Sequence, residues 1–348
     1  TGGSEAQALK RFEPNHFALL VAGFHDNAWA AATEVKAWAD ANGMISALVP
    51  FDNKKETLLE YICIMQLIRE LYGKRLGLSG GVSEWLVASG VSAARLKELL
   101  GMDLLPFDWD EMSDFSQFEP DPLFLKEFSG RESLLNAKAQ ASALLDNEAR
   151  IHAMLTDHIQ QNQLYGISLS CFDLVSQRRH SPCLSLAMLN DRGIVAACEG
   201  DLVSLTGMII GKAVFGQIPW MANMAALDDE GVLFAHCTAP LGLLRQYRLN
   251  THFETGCSAA IEGEFDAEEI TVFRMNAGLN RAFLSQARIV ERPRHDYGCR
   301  SQIKAIFPER AMKLLREQPL GNHHLVFAGN LEQKLALVCR VLGVERQL

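Results

Sequence analysis

Residues 194–216, IVAACEGDLVSLTGMIIGKAVFG, divide into a short apolar run, a turn carrying Glu199 and Asp201, and a longer apolar run from Leu202. The first run reads as a buried strand and the last as a helix, so the stretch is one step of a parallel sheet. Asp201 falls where that helix should begin, and an aspartate there accepts hydrogen bonds from backbone N–H groups that lack partners within the helix. Glu199 is harder to place in a core. An ionised carboxylate among apolar neighbours needs a cation, a hydrogen-bond network or an arginine not identifiable from sequence. It also sits at a strand's carboxyl end, where open parallel sheets bind their ligands.

The same alternation runs upstream. Residues 16–24, 44–51, 74–81 and 102–109 read as strands, and 27–43, 54–73 and 83–101 as helical stretches between them. Residues 111–130 hold acidic residues, two prolines and little periodicity, which suggests a linking excursion. A long helix over 131–166, a strand over 166–174 and a helix over 181–193 lead back to the opening stretch. Downstream, 218–224 and 231–239 read as two more strands. Beyond about residue 245 the segments AAIEGEF, ITVFRMN, FLSQARIVERP and SQIKAIF alternate like short antiparallel strands, with a helix over 332–343. The expected fold class is α/β, with doubly wound, mostly parallel sheet followed by a C-terminal antiparallel β-rich domain.

Composition narrows the function. With 48% apolar and 22% charged residues over 348 positions, the chain is an ordinary folded protein of more than one domain. A net charge of −9 argues against a broad nucleic-acid or anionic-membrane surface and favours a small-molecule ligand. The eight cysteines form no CxxC pair, which points to a reducing, cytoplasmic setting. No apolar run reaches the ~18 residues of a membrane span, since residues 202–216 are interrupted by Lys212 and two glycines. The first residues, from Thr1, lack the pattern of a signal peptide.

Two further sets of side chains could join Glu199. His236 and Cys237 end one strand, and His323 and His324 precede another; adjacent strand residues point to opposite faces, so only one of the last two enters a given site. A carboxylate with one or two imidazoles suits a divalent cation such as Mn²⁺. Cys198 and Cys237 adjoin candidate ligands, which keeps a zinc or thiol alternative open. GMIIGK lacks the spacing of a phosphate loop, GLSGGVSEW does not complete a dinucleotide fingerprint, and no GxSxG elbow is present.

CEGDL (198–202), PWMANMAALDDEGVLFAHC (219–237), GCRSQ (298–302) and GNHH (321–324) resemble, in order, the middle and C-terminal domains of L-fucose isomerase and L-arabinose isomerase, with weaker likeness through 74–90 and 171–174. The resemblance implies an aldose–ketose isomerase with Mn²⁺ held between those domains by two carboxylates and histidine. It places one metal carboxylate at Glu199, a metal histidine at His323 with His324 as alternative, and another at His236. The second carboxylate position holds Asn223, which offers a carbonyl oxygen but no charge and no proton-accepting capacity. A 1,2-proton transfer through an enediol then assigns Glu199 as the base, with Asp201, Asp228, Asp229 or a water as its partner. The implied division is a shortened N-terminal α/β domain over 1–53, a middle α/β domain over 54–244 and a β-rich domain over 245–348. The resemblance also implies a homo-oligomer in which one subunit covers its neighbour's site, and a sugar substrate; the net charge and the short apolar runs argue for neither nucleic-acid nor membrane partners. The rival expectations are a non-catalytic sugar-binding or regulatory protein of the same fold and a hydrolase or lyase using Cys198 or Cys237.

Overall fold

The computed structural model of the protein describes residues 5–12, 17–51, 55–109, 112, 114–131 and 138–347. After a short helix α1 (Glu5–Leu9), strands β1 (Ala18–Ala22) and β2 (Ser46–Pro50) pair in parallel around α2 (Ala28–Ala41). Helix α3 (Lys55–Arg69) leads to β3 (Arg75–Ser79), α4 (Ala93–Leu100) and β4 (Asp103–Phe107). Helices α5 (Pro122–Phe128) and α6 (Lys138–Gln161) precede β5 (Leu164–Leu169), followed by α7 (Cys171–Arg178), α8 (Cys183–Asp191), β6 (Val195–Ala197) and α9 (Leu202–Phe215). The four strands form a parallel sheet in the order β4-β3-β5-β6. The start of the long helix expected over 131–166 falls partly outside the described residues.

Pairing changes from parallel to antiparallel at β7 (Trp220–Asp228) and β8 (Gly231–His236), upstream of the shift in sequence texture at 245. Strands β9 (Leu244–Thr251) and β10 (Ala259–Phe265) make a separate hairpin. Next come β11 (Glu269–Met275), β12 (Arg281–Glu291), β13 (Ser301–Ile306), α10 (Glu309–Glu317), β14 (His323–Ala328), α11 (Glu332–Val341) and the short β15 (Glu345–Arg346). The order β11-β14-β7-β8-β13-β12 closes through a further β11–β12 pairing, giving an antiparallel barrel with β15 alongside β12. Closure removes unpaired strand edges. Inward-pointing Trp220, Phe234, Val272, Phe283 and Val326 fill the interior.

Helix α9 joins the two halves. Every residue from Leu202 to Gly211 is buried, because the parallel sheet covers one side of it and the barrel the other. Glycines 207 and 211 lie one turn apart and let the barrel approach. A Cβ on Gly207 would stand 2.3 Å from Leu325 Cδ1, and one on Gly211 would stand 2.8 Å from Phe327 Cε1. The glycines that break the apolar run in sequence are thus the places where β14 packs on the helix. No helix among the described residues is long and apolar enough to cross a membrane.

Candidate active site

The turn between β6 and α9 sets the site. Glu199 adopts φ 60, a left-handed conformation uncommon for a residue with a side chain. Backbone bonds hold it there: the Ser83 N–H donates to the Glu199 carbonyl at 3.0 Å, and the Gly200 N–H to Leu169 O at 2.9 Å. The side chain is then fixed by Trp85, whose Nε1–H donates to Oε2 at 2.6 Å. Trp85 was legible in the sequence only as an aromatic residue of a helical stretch, and its ring is half exposed here.

Glu199 Oε1 faces two imidazoles, His323 Nε2 at 3.5 Å and His236 Nε2 at 3.9 Å. Their rings lie 5.6 Å apart. His323 shares the face of β14 that carries Leu325 and Phe327 and packs toward α9, while His324 points into the barrel against Phe234 and Phe283. The two-residue strand period therefore brings His323, and not His324, to Glu199. Asn223 is the register partner of His323 across β7 and β14, so their side chains share a face. Its Oδ1 accepts from Asn322 Nδ2 at 2.6 Å.

Asp201 is engaged on every side. Its carboxylate caps α9 through Ser204 N–H at 2.8 Å and Ser204 Oγ at 2.9 Å. It also pairs with Arg274 Nη1 at 3.0 Å and lies 2.9 Å from His323 Nδ1. Arg274 is as buried as Asp201, and its Nη2 donates to Ser89 Oγ at 2.7 Å. The arginine expected as the bland explanation of Glu199 thus exists but belongs to Asp201. Asp228 and Asp229 lie at the β7–β8 turn, paired with Lys304 and Arg316. At about 3.4 Å per residue, that turn is roughly 17 Å along β8 from His236.

The charges explain the proton affinities. Burial opposes ionisation of Glu199, but His323, His236 and the Trp85 bond outweigh it and hold its pKa at about 2. Burial also opposes a charge on His323, yet Asp201 and Glu199 on its two nitrogens raise it to about 9. His236 is driven down to about 3 by burial and by His323. Two buried carboxylates face one arginine, so the pocket needs a second positive charge, which protonated His323 supplies in the metal-free site.

A divalent cation fits that demand. His323 Nε2 is buried without a hydrogen-bond partner and points at a carboxylate oxygen too distant for a good bond. Its other nitrogen rests on Asp201, an arrangement by which a carboxylate can orient an imidazole toward a metal. Donor atoms of Cys198, Glu199 and His236 also lie within 4.8 Å of one another. Cys198, however, is 3.0 Å from the Cys171 thiol, and that contact together with burial pushes its pKa well up. Its sulfur is therefore held as a thiol, a poor ligand.

No family model matches the chain. It is 23% identical over 230 residues to the sulfoquinovose isomerase of Priestia aryabhattai, an alignment covering 64% of this chain and 52% of that protein. Its relatives are sugar isomerases. The same name belongs to proteins of Alkalicoccus urumqiensis, 20% identical over 229 residues (64% and 52% covered), and Clostridium sp. (strain MSTE9), 24% over 217 residues (58% and 48%). The chain spans about half the length of these curated relatives. A fucose or arabinose isomerase resemblance agrees with them at the coarse level of sugar isomerisation.

Proposed function

We propose that this chain carries the metal-binding and proton-transfer centre of an aldose–ketose isomerase acting on a sugar such as the sulfoquinovose of its relatives' name. The observation that carries the reading is the convergence of Glu199, His323 and His236 on one buried point, with an unpartnered imidazole nitrogen among them. A divalent cation, with Mn²⁺ as the first candidate, would be held by these three, and Asn223 has a carbonyl oxygen to add. When bound, it would supply Lewis acidity toward neighbouring sugar oxygens.

The chain's own groups do the rest. Trp85 locks one Glu199 oxygen and the other faces His323 and His236; Glu199 is the group we assign to the proton that moves between C1 and C2. Asp201 acts through His323: it accepts the Nδ1–H and so keeps Nε2 free for the cation. Arg274 keeps Asp201 ionised. The half-exposed Trp85 and the exposed Val87 beside it leave an apolar rim that a further subunit of a homo-oligomer can cover.

Asn223 favours a second reading, a sugar-binding protein without turnover, because it supplies no charge where the resemblance implies a carboxylate. One experiment addresses both. Titration calorimetry with Mn²⁺, followed by ketose assays on sulfoquinovose, should show binding and turnover that Glu199→Gln abolishes. Absence of Mn²⁺ heat in the wild type would overturn the metal reading; sugar binding without turnover would select the second.

A further inference from the structure

Two thiols meet behind the Glu199 turn. Cys171 is the first residue of α7 and Cys198 follows β6, and their sulfurs lie 3.0 Å apart. Both are free and buried. Sugar isomerisation as described above uses neither.

The parallel pairing of β5 and β6 brings them together. Ser168 is the register partner of Ala197, so the chain leaves both strands at the same edge of the sheet. Backbone bonds pin the two exits: the Gly200 N–H donates to Leu169 O at 2.9 Å, and the Ser170 N–H to Ser79 O at 2.8 Å. The fold has therefore already closed the loop between the two cysteines, and joining their sulfurs needs little further ordering.

Each cysteine is followed by a residue that reaches Trp85. The Phe172 ring packs edge-on against the Trp85 ring, with centroids 4.9 Å apart. Trp85 Nε1–H in turn donates to Glu199 Oε2 at 2.6 Å. Contacts thus run from Cys171 through Phe172, Trp85 and Glu199 to Cys198, and the two sulfurs close the circuit. A disulfide would draw those sulfurs about 1 Å closer, to about 2.05 Å. Glu199 already stands at φ 60, where a residue with a side chain has little backbone latitude, so the adjustment passes into the Trp85–Glu199 bond.

We propose that Cys171 and Cys198 are a reversible disulfide switch, closed by a hydroperoxide, that draws Glu199 away from the imidazoles it faces. In the first step the Cys171 sulfur attacks one oxygen of hydrogen peroxide; the O–O bond breaks, leaving a sulfenic acid and releasing one water. In the second the Cys198 sulfur displaces the sulfenic hydroxyl, which leaves as a second water as the S–S bond forms. Two thiols lose two electrons, and the peroxide gains them with the two thiol protons. Cys171 is the better first nucleophile because it opens an eight-residue helix, whose N-terminus favours a thiolate. Hydrogen peroxide is little larger than water and reaches buried thiols through local opening. Any effect on a cation rests on the isomerase reading above; the bond itself does not.

The test treats the full chain with hydrogen peroxide, blocks the remaining thiols and maps unreduced peptides by mass spectrometry. The wild type should give one linked pair containing Cys171 and Cys198, absent from Cys171→Ala and Cys171→Ser and lost on reduction. No link, or one among Cys183, Cys237 and Cys299, which pack together elsewhere, would overturn the proposal. Calorimetry then compares Mn²⁺ binding: the oxidised wild type should bind at least about tenfold more weakly than the reduced form, the scale expected when a ligand loses its supporting bond. Peroxide-treated Cys171→Ala should keep its untreated affinity. A linked protein with unchanged affinity would overturn the switch. If the reduced wild type binds no Mn²⁺, the metal reading falls and hydrogen exchange at the Gly200 amide decides: faster exchange in the linked form sustains the switch, and equal exchange overturns it.

Discussion

His323 and His324 stand side by side at the start of β14, one facing the seam between sheet and barrel and the other facing the barrel's interior. On the seam, carboxylates on both nitrogens raise the His323 pKa to about 9. Inside, burial among aromatic rings and the nearby Arg274 lower that of His324 to about 3. Both are wholly buried, so exposure does not separate them. The difference teaches that a buried imidazole is a functional candidate when fixed charges converge on it, and a core residue when they do not.

The largest effect should come from stripping the seam of its balance. Asp201→Asn leaves Arg274 buried without a counter-charge and should cost about 3–5 kcal/mol in denaturant unfolding, with Arg274→Met in the same background restoring part of it. A milder change at the same point should appear in metal binding: Asp201→Asn, where it folds, should weaken Mn²⁺ affinity about 10- to 100-fold by calorimetry, since it removes the group that orients His323.

Proton and cation should compete for His323. Because its pKa lies at about 9 in the metal-free site, Mn²⁺ binding near neutral pH should release about one proton and tighten as pH rises. Calorimetry in buffers of different ionisation enthalpy reads that proton; release unchanged in His323→Gln would contradict the assignment.

The interior histidine should behave oppositely. His324 is lowered from 6.5 to about 3, so its neutral form supports the fold above pH 6.5. As pH falls from there toward 3, the unfolded chain takes up a proton that the folded chain refuses, and stability declines. His324→Leu should flatten that decline and, by removing a buried Nε2 without a partner, change stability near pH 7 by only about 1 kcal/mol. The smallest expected change is Asn223→Asp, which adds charge to a formed site and should strengthen Mn²⁺ binding severalfold by calorimetry.

Local chemistry was legible in the sequence and distant chemistry was not. The helix cap at Asp201 follows from a short polar side chain before an apolar run, and the opposite faces of His323 and His324 follow from the strand period. That β7 and β8 belong to the barrel could not be read, because strands of either sheet type share the same apolar texture. Arg274, 73 residues beyond Asp201, and Trp85, 114 residues before Glu199, were invisible as partners. One sits in an ordinary alternating strand and the other in a stretch with helical spacing, and only tertiary packing turns them toward the turn.

Those separations bear on how the molecule assembles. Trp85, Asp201, Arg274 and His323 come from segments that meet only after the barrel has closed on α9, so the centre has high contact order. Refolding followed by far-UV dichroism and by Mn²⁺ uptake should therefore give two curves, with cation affinity returning last and reporting completion of the native topology.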